Sequence, residues 1–534
     1  MRTVQRIYIY VMAYASLLAL TIGVTNITPI LASYFLGLGL ERQDFALWAG
    51  IIVVALPLHA AHILWANARA RASSEEREAA LRKLYTYAVA ATGLLLLGIF
   101  VDRVLEHILL VLLGGTPLGS SRAWWMMIWR YLLNATWAGL LLWYAYVLVQ
   151  RDGDYLRESK NAAIWRRLFV LAAGIIGLVL LVGGAVSLLQ LLLLLVVPPL
   201  PMAPIHLGSW WREGLAKSGA LLLVGLGVWR WSWDVMDAWG RPPLAEREQT
   251  TLCRQLYYYT GVALGVGLSL VGLGYLLRQA LWALLGVPWG ERHVWWPHLA
   301  LWVAALPVGA FVWWTYRQRV WREQARMNLP WYHLAVGRLY TYVVSGVALA
   351  VLWVGAVDLL RVLTAYLLRP SGLAFDPYWW RRVLAIGLAL TMVAAPTWFW
   401  HWRRIEDVAI MAGDVGQRER SSLLRRVYLY GVSLVAGLVV LVFLARVAYY
   451  VWLWVLGVPT PNAAEDLANA MGPALVALVV WAYHMRVIHR DNTLQHLEGE
   501  DVEERKRVLL LERERLLRRL QEIDEELARL QSGD

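Results

Sequence analysis

The apolar residues of this chain come in unbroken runs, without the period-two alternation of a half-buried strand or the single stripe of a soluble helix. Leu168 to Val197 carries only Ser187 and Gln190 as polar side chains, and it is longer than the ~20 residues that carry a helix across a bilayer. A helix that is apolar on every face belongs in lipid or in a very large core. The clearest unit is Arg338 to Arg404. It opens with Arg338, Leu339, Tyr340, Thr341 and Tyr342, runs apolar to Leu368, and breaks at Arg369, Pro370, Ser371 and Gly372. It resumes at Tyr378, Trp379 and Trp380 and ends in Trp400, His401, Trp402, Arg403 and Arg404. Two apolar runs around a Pro/Gly break predict a transmembrane helical hairpin.

The unit recurs. Counting from Tyr8 through Tyr85, Phe169, Tyr257, Tyr340 and Tyr428, the intervals are 77, 84, 88, 83 and 88 residues, the near-constant period of a tandem array. The expected hairpins lie at 1–68, 80–150, 163–232, 250–320, 335–405 and 422–490. The third is the most diverged, with Phe169 and Leu171 where the others place aromatic pairs such as Tyr85 and Tyr87. The predicted fold is therefore all-α and integral to the membrane, with about 12 spans as six parallel tandem hairpins. First helices carry small residues, among them Gly261, Gly265, Gly272, Gly346 and Gly355, that let backbones approach.

Composition sharpens this picture. The chain is 59% hydrophobic with a mean hydropathy of +0.50, above the ~45–50% apolar content of soluble domains. Its net charge of +12 reads first as topology and not as nucleic-acid binding. The termini and between-hairpin linkers hold 37 of the 50 Lys and Arg, which places them and both chain ends on the cytoplasmic side of a bacterial plasma membrane. Trp124 and Trp125, Trp210 and Trp211, Trp295 and Trp296, and Trp379 and Trp380 open second helices, where headgroup anchoring accounts for much of the total of 32 Trp. The single Cys253 excludes an internal disulfide.

Three constellations could carry chemistry. Charges late in first helices include Asp102, Arg103 and Glu106, and Asp358 and Arg361. Tyr340 to Arg361 spans ~31 Å of helix against a ~30 Å hydrocarbon core, so if Tyr340 marks one interface Arg361 reaches the other. Snorkelling and local pairing then compete with a polar path. Histidines His62, His401 and His484 recur near the ends of second helices, with His59 three residues before His62. An aromatic–histidine belt competes with cofactor ligation there, and no cofactor or metal is predicted. In the tail, 499–531, Val502, Leu509, Leu516, Ile523 and Leu530 fall seven apart. A second line reads Lys506, Arg513, Leu520 and Leu527, which predicts a cytoplasmic coiled coil joining a second copy or a partner protein. The competing readings are a helix folded back on the linkers or lying on the bilayer.

The tandem units, with Arg338, Leu339, Tyr340 and Tyr342 at the start and Trp398, Trp400, His401 and Trp402 near the end, resemble a bacterial multi-pass membrane family of two-helix repeats, a domain of unknown function. The resemblance covers about 1 to 490 and implies no substrate, site or cofactor. There is no phosphate-cradling glycine loop, no His-Glu-x-x-His and no nucleophile elbow. Three functions remain open: a scaffold or accessory subunit assembling through its tail, a transporter or channel for a small or hydrophobic solute, and a haem- or quinone-linked redox subunit.

Overall fold

The computed structural model describes residues 2–37, 39–115, 121–153, 160–197, 210–243, 248, 251–290, 292–368, 378–458 and 463–532. Among these are twelve long helices and no strand. They are α1 (Arg2–Phe35), α2 (Arg42–Ala72), α3 (Ala80–Leu112), α4 (Ser121–Asp152), α5 (Lys160–Val196), α6 (Trp210–Ala238), α7 (Leu252–Leu284) and α8 (Arg292–Met327), then α9 (Ala335–Leu368), α10 (Trp379–Ala409), α11 (Leu423–Val455) and α12 (Ala463–Ser532). Short helices at Ser74–Arg77 and Asp414–Arg420 and a 3-10 turn at Trp331–His333 lie in linkers. Helix satisfies every backbone donor and acceptor within one segment, which is what an apolar solvent demands.

Ten of the twelve, all except α3 and α6, are long and apolar enough to cross a membrane. The break after α7 shows how such a helix ends: Gly286 and Gly290 take φ of 67° and 73°, a conformation open to glycine and costly for other residues. The Pro/Gly-rich stretches that separate paired apolar runs at Gly114–Gly119 and Gly457–Pro461 fall partly, and those at Pro198–Pro204 and Pro370–Pro377 wholly, outside the described residues. Pro57, Pro307 and Pro396 lie inside α2, α8 and α10, which run through them.

The chain divides into two compact units, Met1–Leu276 with Pro288–Gly337, and Leu277–Val287 with Arg338–Asp534. In the first, α1 packs along α2, α3 along α4 and α5 along α6. α3 also meets α1, α5 and α6, and α8 meets α5. α7 crosses α8 at Gly265, where a Cβ would lie 2.4 Å from the Trp313 backbone nitrogen. In the second unit, α9 crosses α10 at Gly355, where a Cβ would lie 3.0 Å from the Gly387 carbonyl oxygen, and α11 packs along α12.

The glycines differ in a testable way. Gly265→Val forces two backbones apart, an overpacking cost of ~1–3 kcal/mol, and is expected to lower the unfolding temperature of the detergent-solubilised protein. Gly346 has only the edge of the Tyr428 ring nearby, 3.7 Å from a built Cβ, so Gly346→Ala is expected to leave that temperature unchanged. Equal effects at the two positions would refute close approach as the reason for Gly265.

Candidate functional site

The charges late in the first helices do not converge. Arg103 Nη1 pairs with Glu106 at 2.7 Å across one turn of α3, the local pairing that a spacing of three permits. Asp102, one residue earlier, has a buried Oδ1 without a hydrogen-bond partner. Asp102 and Arg103 sit at one end of an apolar groove of about 260 Å³ between α3, α5 and α6, whose walls include Leu95, Phe169, Ile176 and Val224. Asp358 and Arg361 are half-buried on α9, six and three residues before Thr364, whose hydroxyl donates to the Ala468 carbonyl of α12 at 3.3 Å.

The four histidines are all buried. His59 Nδ1 lies 2.9 Å from the Ala13 carbonyl of α1. His62, His401 and His484 each turn Nδ1 to the carbonyl one helical turn back, at 2.7, 2.8 and 2.8 Å, which fixes their rings. Each also has an aromatic neighbour: Tyr8 for His62, Tyr340 for His401, and Trp402, Tyr428 and Tyr483 for His484. His484 Nε2 is buried without a hydrogen bond. Among the described residues, no group of three or more His, Cys, Asp and Glu is placed to hold a metal ion.

What the chain does bring together, three times, is an ionic latch at the linker end of the helices. Arg82, Arg254 and Arg425 are each the third residue of their helix, α3, α7 and α11, and are 3%, 1% and 0% exposed. A guanidinium there faces the positive end of the helix dipole and has lost its water, so it requires a partner. Each finds a carboxylate on the following long helix, near its far end in the first two copies and near the end of the apolar span Asp466–Leu497 in the third. Arg82 reaches Asp152 at 2.8 Å, Arg254 reaches Glu323 at 3.1 Å, and Arg425 reaches Asp491 at 2.6 Å. The same arginines also tie in the second helix of the preceding pair. Arg82 donates to Asn67 Oδ1 at 3.1 Å and Arg425 to Glu406 at 2.6 Å. In the middle copy Arg254 donates to the Met236 carbonyl while Asp237 pairs with Arg319.

A second pair completes the latch. Six residues before each arginine lies a buried glutamate, Glu76, Glu248 or Glu419. It is held by arginine from the start of α1, α5 or α9: Arg6 at 3.0 Å, Arg166 and Arg167 at 2.9 and 2.8 Å, and Arg338 at 2.9 Å. The Tyr342 hydroxyl adds a donated bond of 2.6 Å to Glu419. Arginine suits these positions because its planar fork serves two acceptors at once. The recurring signal is Glu, five residues, Arg, two residues, Tyr, ending at Tyr85, Tyr257 and Tyr428.

Those three tyrosines form the layer beneath the latch. All are buried, and their hydroxyls meet Tyr144 at 3.2 Å, Ser232 at 3.1 Å and Ser345 at 3.3 Å. The tyrosine pairs read as interfacial anchors therefore divide. Tyr8 and Tyr430 face outward, whereas Tyr10, Tyr85, Tyr87, Tyr257, Tyr259, Tyr342 and Tyr428 are buried in the bundle. Residues two apart on a helix point ~200° apart at 3.6 residues per turn, so both members of a pair cannot face lipid.

The tail is helix throughout its described length, as the continuation of α12. Leu509, Leu516, Leu520, Ile523 and Leu527 are 57%, 61%, 55%, 47% and 49% exposed. The side chains of Val502 and Leu530 lie outside the described residues.

Long apolar helices packed in sequential pairs and repeatedly closed at one end by the same buried ion pairs define a multi-pass helical membrane protein built by repetition. Residues 6–145, 167–292 and 338–483 each match the model of the Domain of unknown function (DUF5671), together well over half of the chain, and the chain belongs to that family. The matched stretches begin at Arg6, Arg167 and Arg338, the arginines that hold the linker glutamates. No curated protein and no solved structure matches the chain.

Proposed function

We propose that the protein is a membrane scaffold or accessory subunit. Six parallel hairpins anchor it in the bacterial plasma membrane, both termini and the linkers are cytoplasmic, and the tail assembles the chain with a second copy or a partner protein. α3 and α6 supply the two further spans that make twelve: at 33 and 29 residues they reach ~50 and ~44 Å at 1.5 Å per residue, more than the ~30 Å core. The observation that carries the reading is α12. Its apolar span ends at Leu497 while the helix continues to Ser532, a projection of ~50 Å with an exposed apolar seam. The test is removal of 499–534. Native mass in detergent is expected to fall to that of one protomer, and co-purifying proteins are expected to disappear; unchanged mass and pull-downs would sink the proposal.

A second reading, movement of a small or hydrophobic solute, is favoured by the groove that ends at Asp102. A buried carboxylate oxygen without a hydrogen bond is costly and is retained most readily where something else uses it. Asp102→Asn is expected to reduce flux measured in proteoliposomes if the groove is a path. A measurable flux that the substitution leaves intact removes Asp102 from it.

A further inference from the structure

The last copy differs from the first at one basic position. Lys83, directly after Arg82, is buried and turned toward Asp152 at 3.9 Å. Arg426, directly after Arg425, is exposed, and the equivalent carboxylate, Asp491, is held by Arg425 at 2.6 Å and Arg490 at 3.1 Å. Arg426 lines a groove of about 260 Å³ between α11 and α12, together with Arg420, Tyr430, Asn492 and Gln495. Arg420 is itself 3% exposed, so the groove is walled by one fixed and one outward guanidinium, with two amides and a phenol as further donors; the Asp491 carboxylate also lines it, already paired with Arg425 and Arg490.

Its depth is set by the helices. Arg426 lies at the start of the apolar span Leu423–Val455, and Asn492 and Gln495 lie at the end of Asp466–Leu497, so the groove sits where spans leave the hydrocarbon. Below Arg426, the positions four apart on α11 form one exposed ridge: Tyr430, Leu434, Leu438 and Val442. From Arg426 to Val442 this line runs ~24 Å, beyond the ~15 Å that one leaflet adds to the core. A cation, then an aromatic ring, then three aliphatic side chains on a single line matches a lipid from phosphate to acyl chain.

We propose that this groove binds the headgroup of an anionic phospholipid. The phosphodiester lies between Arg420 and Arg426 with Asn492 and Gln495 as hydrogen-bond donors, and an acyl chain lies along Tyr430, Leu434 and Leu438. Free phosphate shares the headgroup chemistry but has no use for the ridge. The assignment is independent of the tail.

Native mass spectrometry of the full chain in mild detergent, titrated with phosphatidylglycerol or phosphatidylcholine, tests it. The intact protein is expected to retain one phosphatidylglycerol about tenfold more tightly than phosphatidylcholine, the scale of a charge-assisted hydrogen bond. Arg426→Gln is expected to remove that preference, while Arg418→Gln, exposed on the linker and outside the groove, keeps it. Equal affinity for the two lipids, or equal behaviour of the two variants, overturns the proposal. Displacement of the lipid by inorganic phosphate at equal concentration also overturns it, because the site would then recognise a free anion.

Discussion

Arg425→Met is expected to destabilise the protein by about 3 kcal/mol, the lower part of the range for removing one partner of a buried ion pair. Arg425 is fully buried between Glu406 and Asp491, and methionine leaves both carboxylates in low dielectric. Arg490, at 2.6 Å from Glu406 and 3.1 Å from Asp491, keeps part of the compensation and holds the cost at that lower end. Thermal unfolding in detergent read by tryptophan fluorescence checks it, because the Arg425 guanidinium lies over the Trp402 ring at 5.7 Å. Adding Glu406→Gln and Asp491→Leu to the same chain is expected to restore most of the loss, since apolar replacement of a whole buried cluster is often near neutral. Arg82→Met is expected to cost less: its second partner, Asn67, is neutral, and Lys83 remains near Asp152. A single Arg425 variant that unfolds with the wild type would show that the latch adds no stability.

If the tail self-associates as proposed, Leu516→Asp with Ile523→Asp is expected to abolish it. Both side chains are about half exposed in one chain, and the proposed coiled coil would bury them against another helix. Burial of such a side chain is worth ~1.5–3 kcal/mol, so the pair weakens association by roughly two orders of magnitude or more. Arg515→Asp, off the seam, is expected to leave the mass unchanged. Lys506 and Arg513 occupy seam positions and would face their own copies in a parallel pair, so association is expected to strengthen with salt as that repulsion is screened. Sedimentation at low and high ionic strength separates these outcomes; equal mass for the seam variant and the wild type refutes the seam.

Much of the fold was legible in the residues. Unbroken apolar runs such as Leu168 to Val197 point to an all-helical membrane-type chain, and the recurring aromatic starts with the Trp signatures pointed to the family class. The latch was not legible, although its residues stand at constant spacing. Glu76, Glu248 and Glu419 lie in linkers and their arginines at adjoining helix starts, where the positive charge already had a sufficient explanation in topology. Their partners are as distant as Arg82 and Asp152, 70 residues apart, beyond the reach of any local pairing rule. The direction of the tyrosines was hidden for another reason: a residue's level along a helix follows from its position in the span, whereas the face it occupies depends on which neighbours pack there. Asp102 shows the same limit, since nothing near it in the chain announces the groove formed with α5 and α6.

The ion-pair latch also carries a consequence for synthesis. Arg82, Arg254 and Arg425 emerge from the ribosome well before the carboxylates that neutralise them, and 70 residues separate Arg82 from Asp152. At ~5–20 residues per second, Arg82 waits about 4–14 s without its main partner while α3 and α4 are still being synthesised. A first helix alone is therefore not a finished product: its buried arginine is satisfied only when the second helix of the same pair arrives. The natural quantum of assembly is the helix pair, and the chain reaches such a resting point three times, at Asp152, Glu323 and Asp491.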